Sequence, residues 1–154
     1  MTEILERIRI TPRAVIIKQT EILLQHKQYE DGSERHVLPG GSIEPGETLE
    51  QALIRECEEE IGTTITVERL LHVADVFRDR KTIPPTRRQQ VEFLFQCRVP
   101  DSYSARNGPA PDKHQVAVKW VALNRLPDLL YPASFADKLL NLTLNTPVYL
   151  GLIE

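Results

Sequence analysis

The segment from Leu38 to Ile65, LPGGSIEPGETLEQALIRECEEEIGTTI, constrains this chain more than any other part of it. Thr48, with Gln51 three residues later, forms a capping box, which marks the start of a helix. Gly62 is the type of residue that commonly ends a helix. The segment therefore predicts a glycine-rich turn followed by one helix from about Leu49 to Ile61.

The acidic residues of this helix are not all placed for contact with water. The helical period of about 100° per residue puts Glu56 and Glu60 within about 20° of Leu49, inside the sector that should face the core, and puts Glu59 at its edge. Carboxylates packed against a core are costly unless a cation neutralises them. Mg²⁺ and Mn²⁺ prefer carboxylate oxygens, so the pattern predicts a divalent metal site.

The alternative is an ordinary charged helix face in contact with solvent. That interpretation accounts for Glu50 and Glu58, but it accounts poorly for Glu56 together with Glu60. Arg55 is placed to pair with Glu59 one turn later or with Glu47 in the preceding loop.

The segment resembles the signature of the Nudix hydrolases, G-x5-E-x7-R-E-U-x-E-E-x-G-U, in which U is a bulky aliphatic residue. The invariant positions are all filled at the correct spacing, by Gly41, Glu47, Arg55, Glu56, Glu59, Glu60 and Gly62. Cys57 and Thr63 stand where the signature has aliphatic residues. Cys57 is a small apolar substitute, and Thr63 affects packing rather than chemistry.

The resemblance implies a mixed α/β fold, the Nudix α/β/α sandwich, in which a sheet lies between the signature helix and a C-terminal helix. It also implies hydrolysis of a pyrophosphate bond in a nucleoside diphosphate linked to another group, X. Glu56, Glu59 and Glu60 would hold the Mg²⁺ or Mn²⁺, with Glu56 and Glu60 as direct ligands. Arg55 would orient these acids, and Glu47 would help to hold the loop, while Gly62 ends the helix.

The turn at Pro39, Gly40 and Gly41 precedes the helix. Its glycines allow the backbone to come close to a metal ion and to phosphates, and in the family a backbone carbonyl here often helps to ligate the metal. A plain tight turn is the simpler interpretation, and the two are compatible. We expect Gly40 and Gly41 to contact substrate.

A run of cations follows two predicted strands. We interpret residues 79–88 as a basic loop that, with Arg78, carries five cations; they are Arg78, Arg80, Lys81, Arg87 and Arg88. Such loops are often merely solvated, but guanidinium groups beside a metal helix are suited to phosphate recognition. Arg78, Arg87 and Arg88 are therefore candidate substrate-binding residues.

Glu92 lies within VEFLFQC, a strand that is apolar on both faces and so predicts a sheet covered on both sides. One interpretation is that Glu92 pairs with a nearby arginine. The other makes it an additional metal ligand or the general base, a role for which Glu59 is also a candidate. The long loop at 100–114 offers Asp112 and His114 as further candidate catalytic acids, since loops at this place in the family often choose substrate or supply an acid.

Composition sets the remaining limits. At 154 residues and with a formal charge of −3, the chain predicts one domain, residues 1–154, with no general attraction to nucleic acid or membranes. Cys57 and Cys97 lie in apolar segments and are expected to be buried thiols. No apolar signal sequence is evident, which favours the cytoplasm, and a homodimer is compatible with the sequence.

The sequence leaves the substrate open. We favour a (d)NTP or a nucleotide derivative, because the short N-terminus offers little of the exchanged arm often seen in dimeric ADP-ribose enzymes. An ADP-ribose or nucleotide-sugar pyrophosphatase is the alternative. A Nudix fold that senses a nucleotide without cleaving it is the alternative from another class.

Overall fold

The computed structural model describes residues 2–80, 82–142 and 145–154. Nine strands are assigned in these residues, namely β1 (Glu3–Ile4), β2 (Arg9–Val15), β3 (Ile17–Lys18), β4 (Glu21–Gln28), β5 (Glu34–Val37), β6 (Thr66–Arg80), β7 (Thr86–Arg98), β8 (Gln115–Ala122) and β9 (Tyr149–Ile153). The helices are α1 (Leu49–Ile61), α2 (Leu126–Leu129) and α3 (Ser134–Leu140), with a 3₁₀ turn at Leu123–Arg125 before α2.

The strands form two sheets. In the first, β7 pairs with β6 on one edge and with β1 and then β2 on the other, and β9 extends the sheet beyond β6. The β6–β7 pair is a long antiparallel hairpin, whereas β2 runs parallel to β7. The second sheet is built on β4, which pairs with β3, β5 and β8. The result is the predicted mixed α/β architecture.

Two hydrophobic cores lie on opposite sides of the strands. The α1 side buries Leu53, Cys57 and Ile61 against residues from β2, β4, β7 and β8. On the opposite side, Phe135, Ala136 and Leu139 of α3 are buried within the second core. Strands with apolar residues on both faces fit this layering, as VEFLFQC predicted. Cys57 and Cys97 are buried, free thiols, also as predicted.

One predicted element differs from the structure. Residues 79–88 do not form a long basic loop, since β6 continues to Arg80 and β7 begins at Thr86. Strand β2 begins at Arg9, and its first residues pair with β7, more than seventy positions away. Ser134 is the first residue of α3, and its hydroxyl donates to the carbonyl of Glu154.

No helix in the described part of the chain is both long enough and apolar enough to cross a membrane.

Candidate active site

Helix α1 forms as its end signals predict. The Thr48 hydroxyl accepts from the Gln51 amide, and the Gln51 side chain accepts from the Thr48 amide, which completes the capping box. Gly62 ends the helix in the left-handed conformation at φ 73°. Because both ends are fixed locally, the rotation of the helix and the directions of its carboxylates are fixed as well.

Glu56 and Glu60 are in contact with each other and both line a cavity of about 740 Å³. Glu60 is only 4% exposed. Its carboxylate accepts a hydrogen bond from the fully buried amide of Gln25 on β4. Burial raises the pKa of Glu60 to about 9, and the neighbouring Glu56 adds to the effect. We call Glu56 and Glu60 the acidic floor of the cavity.

Arg55 holds the acids around it in place. Its Nε and Nη2 donate to the two carboxylate oxygens of Glu47 at 2.7 and 2.9 Å, and its Nη1 donates to Glu56 at 3.0 Å. The hydrogen bonds from Arg55 lower the pKa of Glu47 and, conversely, raise the pKa of Arg55. Glu59 is more exposed and lies 3.5 Å from Arg55 Nη1. Both pairings predicted for Arg55 are therefore confirmed.

The glycine turn is shaped by these acids. A Cβ atom on Gly41 would lie 2.5 Å from Cδ of Glu56, and one on Gly40 would lie 2.2 Å from the Pro12 carbonyl oxygen. Gly40 has φ 139°, which a residue with a side chain rarely adopts. Both glycines line the cavity, and the turn lies close to Glu56 and to β2. The approach to a metal ion and to phosphates stays a prediction.

The acidic floor fits a divalent cation. Two carboxylates in contact, one of them buried, resist ionising together unless a positive charge replaces the proton between them. Among the described residues, no group of three or more His, Cys, Asp or Glu side chains is already clustered for a metal. Glu59 lies one turn after Glu56 and directly before Glu60, and its side chain is 43% exposed, so it could join them by changing rotamer.

The 100–114 loop fastens the end of α1. Gly108 and Ala110 donate backbone hydrogen bonds to the carbonyls of Glu60 and Glu59 at 2.9 and 2.8 Å. Tyr103 donates its hydroxyl to the Ile61 carbonyl at 2.7 Å. These bonds satisfy helix-end carbonyls that otherwise lack partners. The loop thus supports the helix that carries the acidic floor.

Asp112 and His114, from the end of the same loop, line the cavity. The carboxylate of Asp112 pairs with Lys27. Burial alone would raise the pKa of Asp112, but Lys27 outweighs it and holds that pKa below its ordinary value. Asp112 is therefore an ionised, paired group, which does not suit it to donate a proton. The ring of His114 packs against Tyr29 at the rim, with ring centroids 4.6 Å apart.

Six of the arginines that line the cavity come from three neighbouring strands and the residues just before β2. They are Arg7 before β2, Arg9 and Arg13 on β2, Arg78 and Arg80 on β6, and Arg88 on β7. Arg78 and Arg88 lie directly opposite each other in the β6–β7 ladder. Side chains two residues apart on a strand share a face, and this alternation brings the arginines together.

Glu92 lies beneath part of this group. It is 1% exposed, accepts from Arg13 Nε at 2.8 Å, and accepts from Arg78 Nη2 at 3.2 Å on both oxygens. Burial alone would raise the pKa of Glu92, but the two guanidinium groups outweigh it and lower that pKa. The pairing interpretation describes its position. Glu92 does not line the cavity, so its predicted role as a base or ligand gains no support from its placement.

Arg13 links the arginines to the glycine turn. It is 8% exposed, and its Nη1 donates to the carbonyls of Leu38 and Gly40 at 3.3 and 3.1 Å. Its contact with Glu92 therefore connects β7 to the loop that supports Glu56.

Four of the six arginines are not paired in this way. Among residues 2–80, 82–142 and 145–154, no carboxylate forms a salt bridge with Arg7, Arg9, Arg80 or Arg88. We call these four residues the arginine wall. Burial lowers the pKa of Arg9 and of Arg88, and the other arginines of the wall lower both further.

Arg87 lies on the other face of β7. Its Nε is 3.0 Å from Asp79 Oδ1, and its guanidinium stacks near the Phe77 ring. It does not line the cavity, in contrast to Arg78 and Arg88, and we leave it out of the proposed substrate contacts. Lys81, the remaining cation of the predicted loop, lies outside the described residues.

Sequence reasoning missed Arg7, Arg9 and Arg13. The signal was present as an alternation of arginine and isoleucine in RIRITPR, which places the arginines on one face of a strand. Gln25 was also missed, since a glutamine in an apolar strand gives no sign of the carboxylate it meets.

The chain was compared with protein families and with known proteins. A family model described as the NUDIX domain matches residues 8–141. An ADP-ribose pyrophosphatase from Methanocaldococcus jannaschii is 41% identical over 59 residues, which cover 38% of this chain and 35% of that protein. An 8-oxo-dGTP diphosphatase from Proteus vulgaris is 56% identical over 43 residues, which cover 27% of this chain and 38% of that protein. The matches thus span little more than a third of these relatives.

Solved structures extend the likeness to most of the chain. The crystal structure of a MutT NUDIX hydrolase from Burkholderia pseudomallei superimposes with a TM-score of 0.64 at 27% identity, over 88% of this chain and all of that one. The two curated relatives have different substrates in their names, so they agree on the family and not on the substrate. With the family model covering most of its length and the signature residues assembled on α1, this chain belongs to the NUDIX family.

Proposed function

We propose that this chain hydrolyses a pyrophosphate bond in a nucleoside diphosphate linked to a further group, with a divalent metal ion as cofactor. The observation that carries the proposal is the meeting of Glu56 and Glu60 in a cavity that is also lined by arginines. A cavity of about 740 Å³ is within the range that holds a nucleotide-sized ligand. Members of the family are pyrophosphohydrolases, in agreement with this chemistry.

Glu56 and Glu60 are the proposed metal-holding residues, with Glu59 as the third. When bound, Mg²⁺ or Mn²⁺ would neutralise phosphate charge and make a water more acidic. Gln25 positions Glu60, and Arg55 positions Glu56, while Glu47 keeps Arg55 in place. None of these three needs to touch the reacting atoms, so we treat them as positioning residues.

In the proposed reaction, a water oxygen forms a bond to one phosphorus as the bridging P–O bond breaks. The proton of that water passes to a carboxylate, and the departing phosphate leaves as an anion. Glu59 is the proposed base, because its carboxylate is accessible and its hydrogen bond from Arg55 is long, at 3.5 Å. Glu92 is a weaker candidate, since both its oxygens already accept from guanidinium groups.

Arg78 and Arg88 are proposed to contact the phosphates, with Gly40 and Gly41 providing the backbone surface beside them. For the substrate we retain a (d)NTP or nucleotide derivative first and an ADP-ribose or nucleotide-sugar second. The names of the two relatives match one alternative each.

The test is product release from a panel of nucleoside triphosphates, dinucleoside polyphosphates and nucleotide sugars, with Mg²⁺ or Mn²⁺ and with EDTA. We expect metal-dependent cleavage that Glu56→Gln reduces by about a thousandfold, because a lost metal contact removes several kcal/mol of transition-state stabilisation. Glu58→Gln is the matched control, since Glu58 is exposed on the same helix and its carboxylate accepts a hydrogen bond from Thr64.

Equal activity in Glu56→Gln and Glu58→Gln would refute the proposed site. Metal-dependent binding of these nucleotides without any turnover would instead favour a nucleotide sensor.

A further inference from the structure

The cavity contains more positive charge than the bond to be cut requires. A pyrophosphate that links two groups carries two negative charges, while the charge of a bound divalent ion would be taken up by Glu56 and Glu60. Arg13 and Arg78 share the single negative charge of Glu92. The four residues of the arginine wall form no salt bridge with a carboxylate among the described residues, so positive charge remains after the pyrophosphate is neutralised.

This excess is costly to the folded protein. Arg78 and Arg88 lie directly opposite each other in the ladder, and like charges in that position are destabilising. Arg9 and Arg88 are both half-buried, so water screens them incompletely. Burial lowers the pKa of Arg9 and of Arg88, and the positive charges of the other wall arginines lower both further. A surface arginine cluster without such constraints would simply spread into solvent.

The position of the wall limits what could neutralise it. Arg9, Arg80 and Arg88 come from β2, β6 and β7, which form one continuous sheet, and Arg7 lies just before β2. All four line the same cavity as Glu56 and Glu60. A ligand held by the acidic floor through a metal ion would thus extend toward the wall. Guanidinium groups are suited to bidentate contact with phosphate oxygens.

We propose that the arginine wall binds phosphate beyond the pyrophosphate that is cut, so that the substrate is a nucleotide polyphosphate rather than a nucleotide linked to a neutral sugar. The inference rests on the proposed function, and it decides between the two substrate classes left open there. ADP-ribose places a neutral ribose beyond its pyrophosphate and would leave the wall without a partner. A nucleoside triphosphate or a dinucleoside tetraphosphate places one or more phosphates there.

Binding is measured first, without metal, so that hydrolysis cannot affect the result. Inorganic pyrophosphate and tripolyphosphate are titrated by calorimetry into the wild-type protein, Arg9→Gln, Arg88→Gln and Arg98→Gln. Arg98 is the matched control, because it lies on β7, lines no part of the cavity and is largely exposed beside Glu68. Thermal midpoints verify that each variant is folded.

We expect tripolyphosphate to bind the wild-type protein at least tenfold more tightly than pyrophosphate. Arg9→Gln and Arg88→Gln should each weaken tripolyphosphate binding about tenfold, the loss expected for one hydrogen bond to a charged group. Arg98→Gln should stay within about twofold. Equal affinity for the two anions, or an equal loss in Arg98→Gln, would overturn the inference.

Turnover is measured second, with Mn²⁺, on diadenosine tetraphosphate and on ADP-ribose. The ratio of their kcat/KM values should favour the tetraphosphate in the wild-type protein and fall about tenfold in Arg9→Gln and Arg88→Gln. Cleavage of ADP-ribose with an unaltered ratio in both variants would leave the proposed function standing and refute the wall's role. Tripolyphosphate binding through Arg9 and Arg88 with no cleavage of either substrate would do the reverse.

Discussion

The acidic floor and the arginine wall line the same cavity, yet they are built in opposite ways. Glu56 and Glu60 come from one turn of α1, and Gln25, Arg55 and Gly41 hold or accommodate them. The wall comes from three strands and the residues just before β2, and its side chains form no salt bridge with a carboxylate among the described residues. The floor is prepared for a cation by short-range structure, whereas the wall exists because distant strands pair.

The largest loss of stability is expected at Glu92, which pairs with Arg13 and Arg78 beside the arginine wall. Glu92→Gln leaves Arg13 and Arg78 buried without their carboxylate, which should lower the free energy of unfolding by about 3 kcal/mol. For a chain of this length the thermal midpoint should fall by about 6–12 °C. The control is Glu68→Gln, which removes the charge of an exposed glutamate beside Arg98 and Gln96.

The pH dependence of that loss has a definite sign. The pKa of Glu92 is lowered in the folded protein, so its contribution is present above the unfolded-state pKa and disappears as pH falls through the folded value. The gap in thermal midpoint between wild type and Glu92→Gln should therefore narrow in acid. A gap that widened in acid would contradict the pairing.

A substitution beside the acidic floor should reduce kcat by displacing a carboxylate rather than by destabilising the fold. Gly41→Ala places a methyl group 2.5 Å from Cδ of Glu56 and must displace that carboxylate. We expect kcat to fall about a hundredfold, as for the loss of a supporting contact at a metal site. Ser42→Ala is the control. Arg55 donates to the backbone carbonyl of Ser42, which this substitution keeps. Full activity in Gly41→Ala would contradict the close fit of the turn to Glu56.

The metal affinity of the floor should depend on pH. Burial and Glu56 raise the pKa of Glu60 to about 9, so below that pH a metal ion must displace a proton. Mn²⁺ affinity should rise about tenfold per pH unit up to pH 9. The stabilisation of the folded protein by a fixed Mn²⁺ concentration should thus be larger at pH 8.5 than at pH 6.5 in thermal scans. Equal shifts at the two values would show that Glu60 binds no metal.

The smallest expected effect is a gain in stability when a charge is removed from the arginine wall. Arg88→Gln removes the like-charge pair with Arg78 and should raise the free energy of unfolding by about 0.5 kcal/mol in low salt. The gain should vanish in high salt, because screening already weakens the repulsion. Thermal scans of Arg88→Gln and Arg98→Gln at two ionic strengths measure it. A loss of stability in Arg88→Gln would show that the wall is not strained.

The two regions also differ in how far sequence alone predicts them. The bounds of α1 and the inward direction of Glu60 follow from a capping box, a terminal glycine and the helical period, all within a few residues. The position of Arg9 beside Arg88 follows only from the parallel pairing of β2 with β7, which no local sequence pattern predicts.

The same limit explains the individual errors. The run of cations near residue 80 predicts a loop over residues 79–88, but the ladder continues to Arg80 and Thr86, with Asp79 pairing to Arg87. The partner of Glu92 could be guessed as an arginine, but Arg13 and Arg78 could not be named before the sheet was known. The role of the 100–114 loop as a clasp on α1 depends on backbone contacts that composition does not encode.

The measurement that tests the central claim most directly is the binding of Mn²⁺, counted by the loss of the free-ion signal in electron paramagnetic resonance. Samples of the wild-type protein, Glu56→Gln, Glu60→Gln and Glu58→Gln are titrated at pH 8.5. We expect the wild type and Glu58→Gln to bind Mn²⁺ alike, and the two floor variants to bind it at least about tenfold more weakly. Undiminished binding in both floor variants would contradict the claim that Glu56 and Glu60 form the metal site.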